Sequence, residues 1–165
     1  MDRFSTDRLT AERLREDHLD DLVTLHLDAE VSRYLGGVRA PEVTKTYLAT
    51  NMAHWDQHGF GLWVLRTKDG AFAGRAGIRH ILVDEIDEIE IAYAFKREFW
   101  GRGFASEVAI ALTDIGLSHH ELPSLIGLVY VSNGASRRVL ENANYILEKS
   151  TTRHGNDVVI YRARR

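Results

Sequence analysis

The spacing of apolar residues changes along the chain, and each change predicts a different element. Leu19, Leu22, Val23 and Leu27 fall three or four apart after Asp17, a residue suited to capping, and predict a helix over 17–29. Gly36 and Gly37 break that pattern. Pro41 then suits the first turn of a second helix with Leu48, Met52 and Trp55 on one face, ended by Gly59 and Gly61. From there the period drops towards two. Residues 62–67 and 72–81 read as strands on either side of Lys68-Asp69-Gly70, a hairpin turn with glycine where positive φ is wanted. Residues 84–87 read as an acidic loop. Ile89, Ile91, Tyr93 and Phe95 then alternate with Glu88, Glu90, Ala92 and Ala94, giving a strand with two unlike faces.

A loop containing Gly101 and Gly103 leads into a helix carrying Val108, Leu112 and Ile115. Residues 125–131 form a buried-type strand, 134–143 a short helix and 157–162 a last strand. The order is two helices, a three-stranded meander, helix, strand, helix, strand, which is an α/β fold with a mixed sheet. No repeat or linker interrupts it and there are only two prolines, so residues 1–165 read as one domain.

Composition narrows the function classes. With 44% hydrophobic and 27% charged residues, the chain builds one core under a solvated surface. It has no run of eighteen apolar residues to span a membrane, and Met1-Asp2-Arg3-Phe4-Ser5 lacks a secretory pattern. The absence of cysteine excludes disulfides, thiolate metal sites and a cysteine acyl-enzyme, and fits a cytoplasmic protein. A net charge of −3 argues against nucleic-acid binding, and the basic Arg162-Ala163-Arg164-Arg165 reads as a solvated tail. His54 and His58 stand four apart and His119 adjoins His120. They lack the glutamate of H-E-x-x-H and a third ligand, so no metal is expected.

The stretch richest in chemistry is Phe95-Lys96-Arg97-Glu98-Phe99-Trp100-Gly101-Arg102-Gly103-Phe104-Ala105. Glycines let the backbone approach a ligand, and the first-turn N–H groups of the following helix are unsatisfied and lie at the positive end of its dipole. Together they suit a pyrophosphate, with Arg97 and Arg102 supplying further charge. Read in isolation, the glycine pair also fits an ordinary strand-to-helix turn. G-x-x-x-x-G-K-[ST] is absent, and Ser106 stands where a dinucleotide fingerprint needs its third glycine.

Trp100-Gly101-Arg102-Gly103-Phe104-Ala105-Ser106-Glu107 resembles the W-G-x-G-[YF]-A-[ST]-E signature of GNAT N-acetyltransferases, most of all the branch of ribosomal-protein N-terminal (alanine/serine) acetyltransferases. Thr6-Asp7-Arg8-Leu9, Glu90-Ile91-Ala92-Tyr93, Asn133-Gly134-Ala135-Ser136-Arg137-Arg138-Val139-Leu140 and Gly155-Asn156-Asp157-Val158-Val159 extend the likeness in order over nearly the whole chain. The resemblance implies a largely antiparallel mixed sheet splayed in the middle and flanked by helices. It implies acetyl-CoA as cosubstrate, with the pantetheine beside Tyr93, Ala94 and Phe95 and the pyrophosphate on the N–H groups of Gly101, Arg102, Gly103, Phe104 and Ala105. Arg97, Trp100, Asn133 and Ser136 complete the implied cofactor set.

Acetyl transfer to an amine needs a neutral amine, a donor for the oxyanion and a proton for the leaving thiolate. A backbone N–H near Phe95 is the candidate donor. Glu90 is the candidate base, directly or through water, because burial raises a carboxylate pKa towards working pH. A plain polar strand face is the alternative for Glu90 and the better reading of Glu88. By the resemblance, Ser136 protonates the thiolate and Asn133 holds the pantetheine amide, although Asn133 is also a natural helix cap. Many relatives place an acidic tyrosine where this chain has Leu140, while Tyr145 reads as packing. Asn144 replaces a glycine at the end of that helix and tolerates positive φ.

The acceptor is a primary amine, on a protein N-terminus or a small molecule. Tyr34, Trp55 and Trp63 are candidates for an apolar wall, with core packing preferred for at least two of them. The acidic stretch 84–88 either draws a cationic amine or is a solvated turn. A non-catalytic acetyl-CoA-binding module or sensor is the second reading, and an unrelated phosphate-binding α/β domain the third. Small acetyltransferases of this type are often homodimers.

Overall fold

Turns with left-handed residues set most of the strand boundaries. The computed structural model describes residues 1–165 and contains eight strands. These are β1 (Arg3–Ser5), β2 (Leu9–Arg13), β3 (Leu62–Thr67), β4 (Phe72–Val83), β5 (Ile86–Phe95), β6 (Ser124–Tyr130), β7 (Ile146–Arg153) and β8 (Asn156–Arg164). They pair in the order β1-β2-β3-β4-β5-β6-β8-β7, mostly antiparallel, flanked by helices. The chain divides into two compact units: Met1–Gly77 with Tyr93–Phe104, and Ile78–Ala92 with Ala105–Arg165. Strands β4 and β5 each contribute residues to both.

In the first unit, β2 runs antiparallel to β3 from Leu9 opposite Thr67 to Arg13 opposite Trp63. The helix expected over 17–29 is divided. A 3-10 turn, Glu16–His18, opens it, and the His18 Nδ1 accepts from the Arg15 N–H at 2.9 Å, so Asp17 is not the cap. Helix α1 (Leu19–Leu27) stops where Asp28 becomes extended, and the Asp28 Oδ1 caps α2 (Ala29–Ser32) by accepting from the Glu30 and Val31 N–H groups. Helix α3 (Pro41–His58) begins on its proline and ends at Gly59, whose φ is 74°. Its buried stripe is Thr44, Leu48, Asn51 and Trp55, with Met52 only half-buried. Asn51 donates to the Tyr47 carbonyl of its own helix at 2.8 Å, and Thr44 belongs to a buried network. His26 Nδ1 bonds Thr44 Oγ1 at 2.9 Å while Arg75 Nε donates to His26 Nε2 at 3.2 Å.

Trp55 and Trp63 pack edge to face at 4.9 Å, and the Trp55 indole donates to the Leu62 carbonyl. At 2% and 0% exposure they are core residues and not the walls of a substrate pocket. Each such side chain removes roughly 200 Å² from water, about 5 kcal/mol of gross transfer energy before entropy is subtracted.

In the second unit, β6 and β8 pair over seven positions, from Ser124 opposite Arg164 to Tyr130 opposite Val158. By contrast β5 and β6, which are parallel, register at a single pair, Glu90 with Ile126. That is the strand arrangement a splayed sheet requires. Helix α4 (Phe104–Asp114) continues into a π-helical turn, Ile115–His119, with Val108 and Leu112 fully buried. Helix α5 (Gly134–Asn142) lies so close to β6 that a Cβ on Gly127 would run into the Leu140 side chain.

Residues 84–87 are not a loop. Asp84 and Glu85 alone form the turn, with φ of 49° and 67°, while Ile86 and Asp87 already belong to β5. Positive φ at both central residues matches the right-handed strand twist. Strands β1, β2 and β7 are additions to the expected order. The first two are short, and β7 is exposed along most of its length, so it carries no apolar alternation. Arg162 anchors this side: its Nη1 and Nη2 donate to Glu88 at 2.9 and 2.7 Å, and its Nε and Nη2 to Glu148 at 2.8 and 3.0 Å. Glu88 is therefore a structural ion-pair partner.

Candidate active site

The connection from β5 to α4 is built from an aromatic base and an open backbone. Phe95, Phe99 and Phe104 are buried, with the Phe95 and Phe104 rings stacked at 6.3 Å and Phe99 edge-on to Phe104 at 5.9 Å. Lys96 N–H continues the strand pairing to the Ala73 carbonyl at 2.9 Å, and a 3-10 turn, Arg97–Phe99, reverses the chain. Gly101 and Gly103 follow with φ of 71° and 80°, a conformation costly for any residue with a Cβ. Space is open where a Gly101 side chain would be. Gly103 occupies the capping position of α4 and has no side chain with which to cap, so the first-turn N–H groups remain suited to an anion from outside. On these grounds residues 101–105 fit a pyrophosphate.

The side chains around this loop divide into two sets. Trp100 is 47% exposed, and its indole N–H donates to the Phe95 carbonyl at 2.8 Å, folding the loop back on the strand end. Arg102 is exposed, its guanidinium 5.4 Å from the centre of the Phe104 ring. Arg97 is turned elsewhere: its Nε donates to Asp28 Oδ2 at 2.7 Å. Burial pushes the Asp28 carboxyl up, but Arg97 and the Val31 and Glu30 N–H groups hold it below the usual range. Arg97 thus has a carboxylate of its own, which weakens its expected part in phosphate binding. Tyr93 is half-buried, Ala94 buried and Ala105 half-buried.

In the second unit, Asn133 Oδ1 accepts from the Ser136 N–H at 3.2 Å, capping α5. The two expected residues are therefore adjacent. Glu90 is 6% exposed and receives a hydrogen bond from Arg79 Nε at 2.8 Å. Arg137 donates to the Tyr161 hydroxyl at 3.0 Å and the Val131 carbonyl at 3.1 Å, so it is occupied within the fold. Tyr145, 3% exposed, shares a hydrogen bond with Thr113 at 3.0 Å, and burial pushes its phenol up to about 12. Both features make it a packing residue. Leu140, in the place of the missing tyrosine, is 1% exposed.

Sequence reasoning missed two arginines at these places. Counting outward from a two-residue turn at 84–85 would have set Arg79 opposite Glu90. Arg8 lies in the Thr6-Asp7-Arg8-Leu9 motif, yet nothing in that motif says that it touches a loop 94 residues away, as its bond to the Arg102 carbonyl shows.

Residues 8–145 match the acetyltransferase (GNAT) domain family. This chain belongs to that family. Among relatives of the acetyltransferase, YoaA of Bacillus subtilis strain 168, described as an uncharacterized N-acetyltransferase, is 28% identical over 140 residues, covering 83% of this chain and 78% of that protein. The crystal structure of an acetyltransferase from Agrobacterium tumefaciens strain C58 superposes with a TM-score of 0.88 at 26% identity, covering all of this chain and 95% of the other. RimL, the ribosomal L7/L12 α-N-protein acetyltransferase in complex with coenzyme A, gives 0.79 at 20% identity over 96% and 95% of the two chains, a likeness of fold. The protein is an acyltransferase, and no helix in it is long and apolar enough to cross a membrane.

Proposed function

We propose that this acetyltransferase moves an acetyl group from acetyl-CoA to a primary amine by direct attack in a ternary complex. One observation carries the reading: in a GNAT chain, the end of β5 leads through two left-handed glycines, the second directly before the first residue of α4, so that the residue at the capping position has no side chain. Acetyl-CoA supplies the acetyl group. The N–H groups of residues 101–105 hold its phosphates, with Arg102 adding charge. Glu90 takes the proton from the attacking amine, directly or through a water, and Arg79 fixes the carboxylate that does so. Ser136 returns a proton to the leaving sulfur, and Asn133 both caps α5 and holds the pantetheine amide. A backbone N–H near Phe95 receives the oxyanion.

The acceptor is a protein N-terminus or a small amine. The acidic hairpin gives no reason to favour a cationic one: Asp84 bonds Thr151, Asp87 bonds His80 and Glu88 bonds Arg162.

A thermal shift of the purified protein with acetyl-CoA, CoA, ATP and NAD tests the cofactor. A ligand at about 100 times its dissociation constant stabilises by roughly 2.7 kcal/mol, a readable rise. A rise with the two CoA compounds alone supports the reading, and no rise with either ends it. In an amine screen, Glu90→Gln should lower kcat by about 100-fold with acetyl-CoA affinity retained. A protein that binds CoA but releases none with any amine would be a sensor instead.

A further inference from the structure

The Thr6–Leu9 motif has no part in the chemistry above, yet it is a constructed turn. The Thr6 N–H donates to the Leu9 carbonyl at 2.9 Å and the Leu9 N–H to Thr6 Oγ1 at 3.2 Å, while Leu9 itself is buried. The turn thereby fixes the backbone of Arg8 and sends its side chain to the glycine loop. Arg8 Nη1 donates to the Arg102 carbonyl at 2.8 Å. Its guanidinium lies 4.2 Å over the Phe104 ring, on a residue buried at the first position of α4. Its Nη2 is the nearest atom, at 3.4 Å, to where a Cβ on Gly103 would stand.

We infer that Arg8 is a positioning residue that aims the Gly103 N–H at the phosphates of acetyl-CoA. The inference rests on the cofactor reading above and on the planarity of the peptide unit. The Arg102 carbonyl and the Gly103 N–H belong to one trans peptide and point in opposite directions. Holding that carbonyl towards Arg8 turns the N–H the other way. It also keeps a carbonyl oxygen, the negative end of the peptide dipole, from facing an anion. Glycines at 101 and 103 leave the loop free to rotate this peptide, so an outside restraint is needed. A planar guanidinium can donate along its edge while stacking on a ring through its face, which an ammonium cannot reproduce.

Arg8→Ala and Arg8→Lys separate this role from others, because Arg8 is exposed and its loss leaves the core intact. Steady-state kinetics are measured with acetyl-CoA and with S-acetylpantetheine, a donor without phosphates. For Arg8→Ala the KM for acetyl-CoA should rise about tenfold, the loss of one charged hydrogen bond, while kcat and the acceptor KM hold. The parameters for S-acetylpantetheine should not move. Arg8→Lys should remain weakened by about threefold or more. An unchanged KM in Arg8→Ala overturns the inference. So does full recovery in Arg8→Lys, which would reduce the role to charge, or an equal loss with S-acetylpantetheine, which would make it general support of the fold. Wild-type protein that does not respond to CoA at all would instead sink the cofactor reading, and this inference with it.

Discussion

The chain makes two similar connections, from β5 into α4 and from β6 into α5, and treats the two helix starts in opposite ways. At α5 the capping position is Asn133, whose side chain accepts from the Ser136 N–H, so the helix satisfies its own donor. At α4 that position is Gly103, which has no side chain, and the nearby carbonyl of Arg102 is held by Arg8. A helix start that serves only the fold fills its donors locally. One that serves a ligand leaves them open and spends its surrounding contacts on shape. On the proposed cofactor reading, the aromatic base beneath α4 and the strap from Arg8 are such contacts.

Making the first start resemble the second is the strongest test of that contrast. Gly103→Asp places a carboxylate at the cap of α4, and aspartate is among the residues that tolerate positive φ best. It satisfies the first-turn donors and puts a negative charge where phosphate should bind. Acetyl-CoA affinity should fall by about 100-fold, read by calorimetric titration, well beyond the fall in Gly103→Ala, which carries the same positive-φ strain and loss of melting temperature without the charge. If affinity falls less than about threefold, the phosphates are not held at α4.

The converse change is smaller. Asn133→Ala removes a cap and should cost about 1 kcal/mol in denaturant unfolding. Asn133→Asp keeps the cap but loses the amide N–H. If the amide also holds pantetheine, both variants should raise the acetyl-CoA KM by about threefold, while only the alanine loses stability. A normal KM in the aspartate variant would reduce Asn133 to a cap and sharpen the contrast.

How far such assignments were legible in the sequence depends on whether the residues involved interact locally. Gly101 and Gly103 announce themselves because positive φ is a property of a residue and its neighbours, and the same holds for Asn144, whose φ is 65°. The cap at Asn133 is local too. Arg8 and Arg97 were not readable, since their partners lie far along the chain and only the fold selects them. The pairing of Glu90 with Arg79 fell between these cases: it needed the turn at 84–85, which looked like a longer acidic loop because Asp84 and Glu85 lack the glycine that usually marks two positive φ values. Strand β7 was hidden for another reason. An edge strand exposed along most of its length has no apolar face for periodicity to show.

The least expected change in rate comes from Tyr145, which closes the region after α5. Burial holds its phenol protonated up to about pH 12, against the Thr113 hydrogen bond, which pulls the other way, so it is a far weaker acid than the thiol it would have to protonate. Tyr145→Phe should leave kcat within about twofold of wild type and lower stability by about 1 kcal/mol, the net worth of one hydrogen bond. The pH dependence follows from the direction of the shift. An unfolded tyrosine ionises near pH 10 and the folded one near 12, so this contribution to stability is complete below pH 10 and lost between pH 10 and 12, at about 1.4 kcal/mol per pH unit. The phenylalanine variant lacks that slope, so the two stability curves should cross near about pH 11, with wild type the less stable of the two at pH 12. A large fall in kcat at neutral pH would instead make Tyr145 the proton donor, and the segment around α5 would then be as much a site of chemistry as the glycine loop.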